Sequence, residues 1–281
     1  MKQSHHYLPR PSRWLQLIGF TLCMLLSGCQ TPVQALQQLA ASHAHRVETL
    51  PSQPFPLVAS TPLTKPATSR LRVYLEGDGH AWATSTQPSL DPSPRNLLLA
   101  RLAFEDPTPS VYLARPCQFQ AAPGCQSALW TDRRFSEAVL DSLGLALDQL
   151  KSRYGNRDFE LVGYSGGGAL ALLLAARRDD IAQVQTLAGN LSPRQWVALK
   201  RLSPLHGSLE PLDYRERLSR LPQRHFVGSA DTVVPPALLD SYRQGLSHNH
   251  CVQTVQVKRA SHTDGWDQAW QQWRDQPLSC R

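Results

Sequence analysis

From residue 71 onward, short apolar runs alternate with longer stretches in which apolar residues recur at helical spacing. "LRVYL" predicts a strand running into the turn "EGDG", and after Ser93-Pro94 "RNLLLARLAF" predicts a helix with proline at its first turn. "SVYLA" predicts a second strand. "SEAVLDSLGLALDQLKSRYG" is amphipathic, with Val139, Leu140, Leu143, Leu147 and Leu150 on one face and Gly155 suited to its C-terminal cap. Strand "FELVG", helix "ALALLLAARR", strand "VQTLAG", strand "RHFVGSAD", helix "PALLDSYRQGL", strand "VQTVQVKRA" and helix "WDQAWQQWRD" complete the series. Strands alternating with helices of this length predict a parallel sheet with crossovers. The nearly all-apolar strand around "FELVG" is what a sheet covered on both faces requires. The expectation is α/β: one doubly wound, mostly parallel sheet over residues 70–281, with "LSPLHGSLEPLDYRERL" as a small insertion.

The first seventy residues read differently. "MKQSHHYLPRPSR" is polar and basic, and "WLQLIGFTLCMLL" is an apolar run of thirteen residues, short for a membrane span. It ends in Leu26-Ser27-Gly28-Cys29, which resembles a bacterial lipoprotein box. That resemblance implies a signal peptide over 1–28 and Cys29 acylated (palmitate among its chains) as the first mature residue. With Gln30 next, it also implies export to the cell envelope, at the outer membrane facing the periplasm. An ordinary secretory signal or an uncleaved anchor is the alternative. Residues 29–69, rich in Gln, Ala, Ser, Thr and Pro, are expected to be the lipid-anchored segment and tether, with a short helix at "VQALQQLAASHA" and with His43 and His45 facing solvent.

Charge narrows the partners. Of 281 residues, 29 are Lys or Arg and 22 Asp or Glu, a formal charge of +7. Lys2, Arg10 and Arg13 fall in the segment expected to be removed, and no later Lys/Arg run exceeds two. A nucleic-acid stripe should cluster, so the surplus is assigned to solvated surface and no nucleic-acid partner is expected. Six cysteines leave four once Cys23 and Cys29 are set aside. In an oxidising compartment an even remainder predicts two disulfides. Three pairings are possible; the short Pro-Gly-containing loop "CQFQAAPGC" favours Cys117–Cys125 and leaves Cys251–Cys280. No CxxC or spaced histidines suggest zinc, so no metal is expected.

The chemistry lies in "LVGYSGGGALALLL". Gly163-Tyr164-Ser165-Gly166-Gly167 fits G-x-S-x-G between a predicted strand and a predicted helix. A strand turning abruptly into a helix lifts the serine hydroxyl clear of the sheet, and the residues two before and two after it must be nearly side-chain-free. Three glycines in a first helical turn lose propensity, and that turn is the reason. A serine needs a base and an orienting acid, in the order Ser, acid, His at the ends of later strands. "HFVGSADTVVPP" brings a strand to Asp231, and "VQVKRASHTDGW" brings the last strand to His262. Asp264 and Asp267 are the substitute acids. His80 follows the early loop and is placed to line a pocket, whereas His206, His225, His248 and His250 have no motif support.

In this order and context the chain resembles the α/β-hydrolase fold family over residues 71–281. "GDGHAW", "ARPCQF", "TDRRFS" and "GYSGGG" together resemble poorly characterised exported bacterial members. The resemblance implies an oxyanion hole from the N–H of Gly166 and a donor after the early strand. In "YLEGDGHAW" that donor is Asp78 N–H, with Glu76 where a histidine is common. Asp78's carboxylate is expected to turn away, toward Arg115 or backbone. The implied activity is cofactor-free cleavage of acyl esters, small or lipidic, with thioester, amide and lactone substrates open and the oligomeric state undetermined. The rivals are a non-catalytic envelope protein on the same scaffold and a lipid-surface module using Trp266, Trp270 and Trp273. Their spacing reads first as a helix face packed on the sheet. Specificity is assigned to the segments 191–220, 80–95 and 117–125.

Overall fold

Eight strands form one sheet in the computed structural model, which describes residues 30–280. The residues read as a signal peptide and lipoprotein box, Cys29 included, lie outside the described residues. In chain order the elements are α1 (Pro32–Ser42), β1 (His45–Leu50), β2 (Leu57–Pro62), β3 (Arg70–Leu75), α2 (Leu98–Phe104), β4 (Ser110–Leu113), α3 (Glu137–Tyr154), β5 (Asp158–Tyr164) and α4 (Gly166–Arg177). They continue with β6 (Ile181–Leu187), α5 (Pro193–Lys200), α6 (Arg215–Leu218), β7 (Gln223–Gly228), α7 (Ala237–Gly245), β8 (Val252–Val257) and α8 (Asp267–Trp273). The sheet order is β1-β2-β4-β3-β5-β6-β7-β8. The six strands from β3 onward are parallel, and β1 and β2 are antiparallel additions at one edge.

Period-two alternation divides each central strand between two cores. Leu71, Val73 and Leu75 of β3 and Phe159 and Leu161 of β5 face the core built with α3 and α4. Tyr74 and Val162 face the opposite core, with α1, α2, Trp266 and Trp270. The predicted stripe of α3 is buried in full, and Gly155 ends that helix in the left-handed conformation at φ 71°. Burying each such leucine contributes about 1.5–3 kcal/mol. α4 is buried from Gly166 to Ala176 because it lies beneath the sheet's centre, so it shows no amphipathic stripe.

Four expectations are corrected. Residues 32–62 are not a tether: α1 buries Leu36 and Ala40, and β2 enters the sheet between β1 and β4. The prolines that suggested a loop fall outside β2 or at its last residue, Pro62, which still stands opposite His45, so the ladder of Leu57–Pro62 is intact. His45 is not solvent-facing; its ring packs 4.7 Å from that of Phe104, and burial, with the nearby His43, pushes its pKa down to about 4. α2 does not start on proline: the Asn96 side chain accepts from the Leu98 N–H at 2.9 Å in an Asx turn, and the helix begins only after Leu97. The positive surplus is not all solvated: Arg72, Arg115, Arg134 and Arg224 are buried. Arg72 reaches Asp106, Glu160 and Asp275, and Arg224 donates to the carbonyls of Trp273, Gln276 and Pro277, fastening the C-terminal segment under the sheet. Both disulfides join the expected partners, Cys117–Cys125 and Cys251–Cys280.

Candidate active site

Ser165 sits where β5 breaks into α4, at φ 51° and ψ −121°, a conformation a non-glycine residue adopts only under constraint. Its N–H donates to Leu187 O (3.0 Å) and its carbonyl accepts from Asn190 N (2.8 Å), so the turn is held from β6. The glycine requirement is steric. A Cβ on Gly163 would lie 2.4 Å from Gly167 O, and one on Gly167 would lie 2.2 Å from Leu75 O.

The parallel crossovers bring two later strand ends to the same rim. His262 Nε2 lies 3.0 Å from Ser165 Oγ, and His262 Nδ1 lies 2.8 Å from Asp231 Oδ2. Asp231 is fully buried, and its other oxygen accepts from the N–H groups of Val233 (2.8 Å) and Val234 (2.9 Å). The substitute acids are engaged elsewhere: Asp264 accepts from Ser261 and Thr263, and Asp267 pairs with Arg101. The loop carrying His262 is tied down by two groups that no motif flagged. Tyr164 Oη (2.9 Å) and Trp266 Nε1 (3.2 Å) both donate to the His262 carbonyl. Trp266 and Trp270 are buried against the sheet, as their spacing suggested, while Trp273 is partly exposed.

Asp78 follows β3 and its carboxylate lies between two guanidinium groups, Arg115 and Arg134. Burial pushes its pKa up, but the charges and hydrogen bonds of Arg134 and Arg115 outweigh that and hold it below the usual carboxylate range. "GDG", "ARP" and "DRR", far apart in the chain, thus meet at one ion cluster. The cluster lies against the residue after the serine: a Cβ on Gly166 would fall 2.1 Å from Asp78 Oδ1. Gly166 opens α4, where a backbone N–H has no intrahelical partner, and the Asp78 N–H donates to no protein acceptor among the described residues. Beside them Glu76 is fully buried, accepting from Tyr112 Oη and Gly77 N at 2.7 Å each. Burial, only partly opposed by those bonds and by Arg115, pushes its carboxyl up to about 7.

These groups line a cavity of about 360 Å³ whose apolar wall includes Trp82, Trp196, Val233 and Val234. The segment 80–95 contributes to it through His80, Trp82 and Arg95, and α5 within 191–220 through Trp196. The loop 117–125 does not line it. Cys117, Phe119 and Cys125 border a separate cavity, while Gln118 Nε2 donates to Gly77 O (3.0 Å) and braces the turn after β3. A larger groove of about 480 Å³ runs beside edge strand β8, but its lining holds no nucleophile–base pair. His225 is buried in the sheet, hydrogen-bonded to Thr186 and Gln223, and His206, His248 and His250 are exposed. His250, Cys251 and Cys280 come within 4.8 Å of one another, but the two sulfurs are joined and offer no thiolate to a metal.

No family model matches the sequence, and no curated protein does. Solved structures do match. An esterase from Pyrococcus furiosus, Pf2001, superposes with a TM-score of 0.60 at 13% identity, covering 89% of this chain and 92% of that one. Est1E from Butyrivibrio proteoclasticus gives 0.56 at 13% identity over 80% and 94%. An alpha-beta serine hydrolase homologue from Coxiella burnetii gives 0.54 at 15% identity over 82% and 94%. The chain has the α/β-hydrolase fold, including the N-terminal strands that its sequence concealed.

Proposed function

We propose that this protein is a serine hydrolase that cleaves carboxylic esters through a Ser165–His262–Asp231 triad. The observation that carries the reading is the continuous chain from Ser165 Oγ through both nitrogens of His262 to a buried carboxylate. Neutral His262, its Nδ1–H donated to Asp231, accepts the Ser165 proton at Nε2 as Oγ bonds to the carbonyl carbon. The resulting oxyanion is met by the N–H groups of Gly166 and Asp78, two donors with no other acceptor. Collapse breaks the bond to the alcohol oxygen, which leaves with the proton from His262. Water, deprotonated by the same imidazole, then attacks the acyl-serine and releases the acid. Esters are favoured over amides because an alcohol leaves more readily than an amine.

The lipobox supports placing this activity on the cell envelope, the chain held to a membrane through acylated Cys29. No helix among the described residues is long and apolar enough to cross a membrane. Ser165→Ala, assayed on p-nitrophenyl esters and with a fluorophosphonate probe, is expected to lose labelling altogether and at least about 10³-fold in kcat. Wild-type turnover in that variant refutes the proposal, and labelling absent from the wild type favours a non-catalytic scaffold.

A further inference from the structure

The cavity beside Ser165 holds more hydrogen-bonding capacity than acyl transfer uses. Arg134 is only 5% exposed; its Nε donates to Thr131 O and its Nη1 to Asp78 Oδ2, each at 2.5 Å, while Nη2, on a residue lining the cavity, makes no hydrogen bond among the described residues. Asn190 is 3% exposed and lines the same cavity. Its Oδ1 is buried without a partner, and its side-chain nitrogen donates to nothing in the protein. A buried polar group left unpaired, as Asn190 Oδ1 is, forfeits its solvation with nothing in return. Native structures retain such groups where a ligand or ordered water answers them.

The charge around them has one sign in excess. Asp78 is a single carboxylate shared by two guanidinium groups, so it alone does not balance them. The cavity's other carboxyl, Glu76, is fully buried with both oxygens taken by Gly77 N and Tyr112 Oη, and burial keeps it partly protonated near neutral pH, so it offsets Arg115 only in part. On the cavity wall Arg95 is exposed and pairs with no carboxylate among the described residues. An ester with no charge would leave this surplus unanswered. A planar or tetrahedral oxyanion would meet guanidinium forks suited to it, with hydrogen bonds roughly twice as strong as neutral ones.

We propose that the site selects esters that carry an anion, a carboxylate or phosphate, bound by Arg95 and the free Nη2 of Arg134 with Asn190 as a neutral partner. The proposal rests on the hydrolase reading for turnover but not for binding. Its main rival is a general one, in which Arg134 merely stabilises the reaction's oxyanion and serves every ester alike.

The test uses the full chain in nonionic detergent at low salt, with matched substrates. The acyl arm compares the mono-p-nitrophenyl ester of hexanedioic acid with p-nitrophenyl hexanoate. The alcohol arm compares the acetyl esters of 4-hydroxybenzoate and of 4-hydroxyphenyl phosphate with phenyl acetate. In at least one arm, kcat/KM for the anionic ester is expected to exceed its neutral partner about tenfold. That ratio should fall about tenfold in Arg95→Ala, about 1.4 kcal/mol, and fall with added NaCl. Arg134→Lys, checked for an unchanged Tm, should lower the ratio as well. No anionic preference in any arm, or a ratio that falls less than threefold in Arg95→Ala, overturns the proposal. Equal losses for both esters in Arg134→Lys with no change of ratio also overturn it, in favour of the general rival. Titration calorimetry of the same esters against Ser165→Ala separates the two proposals. Tighter binding of the anionic partner upholds the anion site even if wild-type turnover is absent, and equal binding refutes it.

Discussion

Glu76→Gln isolates one consequence of burying a carboxyl in the wall of the candidate site. Burial outweighs the pull of Tyr112, Gly77 and Arg115, so the folded pKa stands at about 7 against an ordinary 4.5. A tenfold change in proton affinity is worth about 1.4 kcal/mol, so the fold favours the protonated acid by about 3 kcal/mol. The sign follows from which state binds the proton more tightly, here the folded one. The contribution is fully present below about pH 4.5 and is lost as pH rises through 7. Glutamine keeps the shape and an acceptor oxygen but does not titrate. Urea unfolding of both proteins at pH 4.5 and pH 8.5 gives four free energies, and their double difference cancels every group the two proteins share. The wild type is expected to lose about 3 kcal/mol relative to Glu76→Gln over that interval. A double difference below about 1 kcal/mol, or one of opposite sign, would falsify the account of Glu76 as a desolvated acid.

Two further outcomes are expected, one from the geometry of the site and one from the sequence. In Asp231→Asn, the N–H groups of Val233 and Val234 hold the side-chain oxygen at the Oδ1 position, which turns the amide NH₂ toward His262 Nδ1. The imidazole is then fixed with its proton on Nε2 and cannot accept from Ser165. The expected result is a fall in kcat of about 10³–10⁴ with KM little changed, and a loss of less than tenfold would remove Asp231 from the triad. Cys29→Ala should abolish incorporation of labelled palmitate and release the chain from the membrane pellet, whereas labelling that persists rules out the lipobox.

Where the sequence was readable, a local constraint left a local trace. The strand–G-x-S-x-G–helix pattern was legible because the close approaches at Gly163 and Gly167 admit no Cβ. The stripe on α3 was legible because one face of a helix packs on one core. β1 and β2 were hidden because a short antiparallel pair among prolines and small polar residues resembles a linker until β4 is beside it. Arg134 looked like half of a surface pair because nothing local to "DRR" announces Asp78, 56 positions earlier.

By itself, then, the sequence determined the parallel α/β order, the strained serine and the candidate acid and base, since each is written in spacing between neighbours. Only the tertiary structure decided how His262 is braced by Tyr164 and Trp266 and that Asp78 is shared by two buried arginines. It alone turned unpaired groups of Arg134 and Asn190 into one cavity. Burial and charge balance depend on which distant segments meet, and periodicity along the chain carries no record of that.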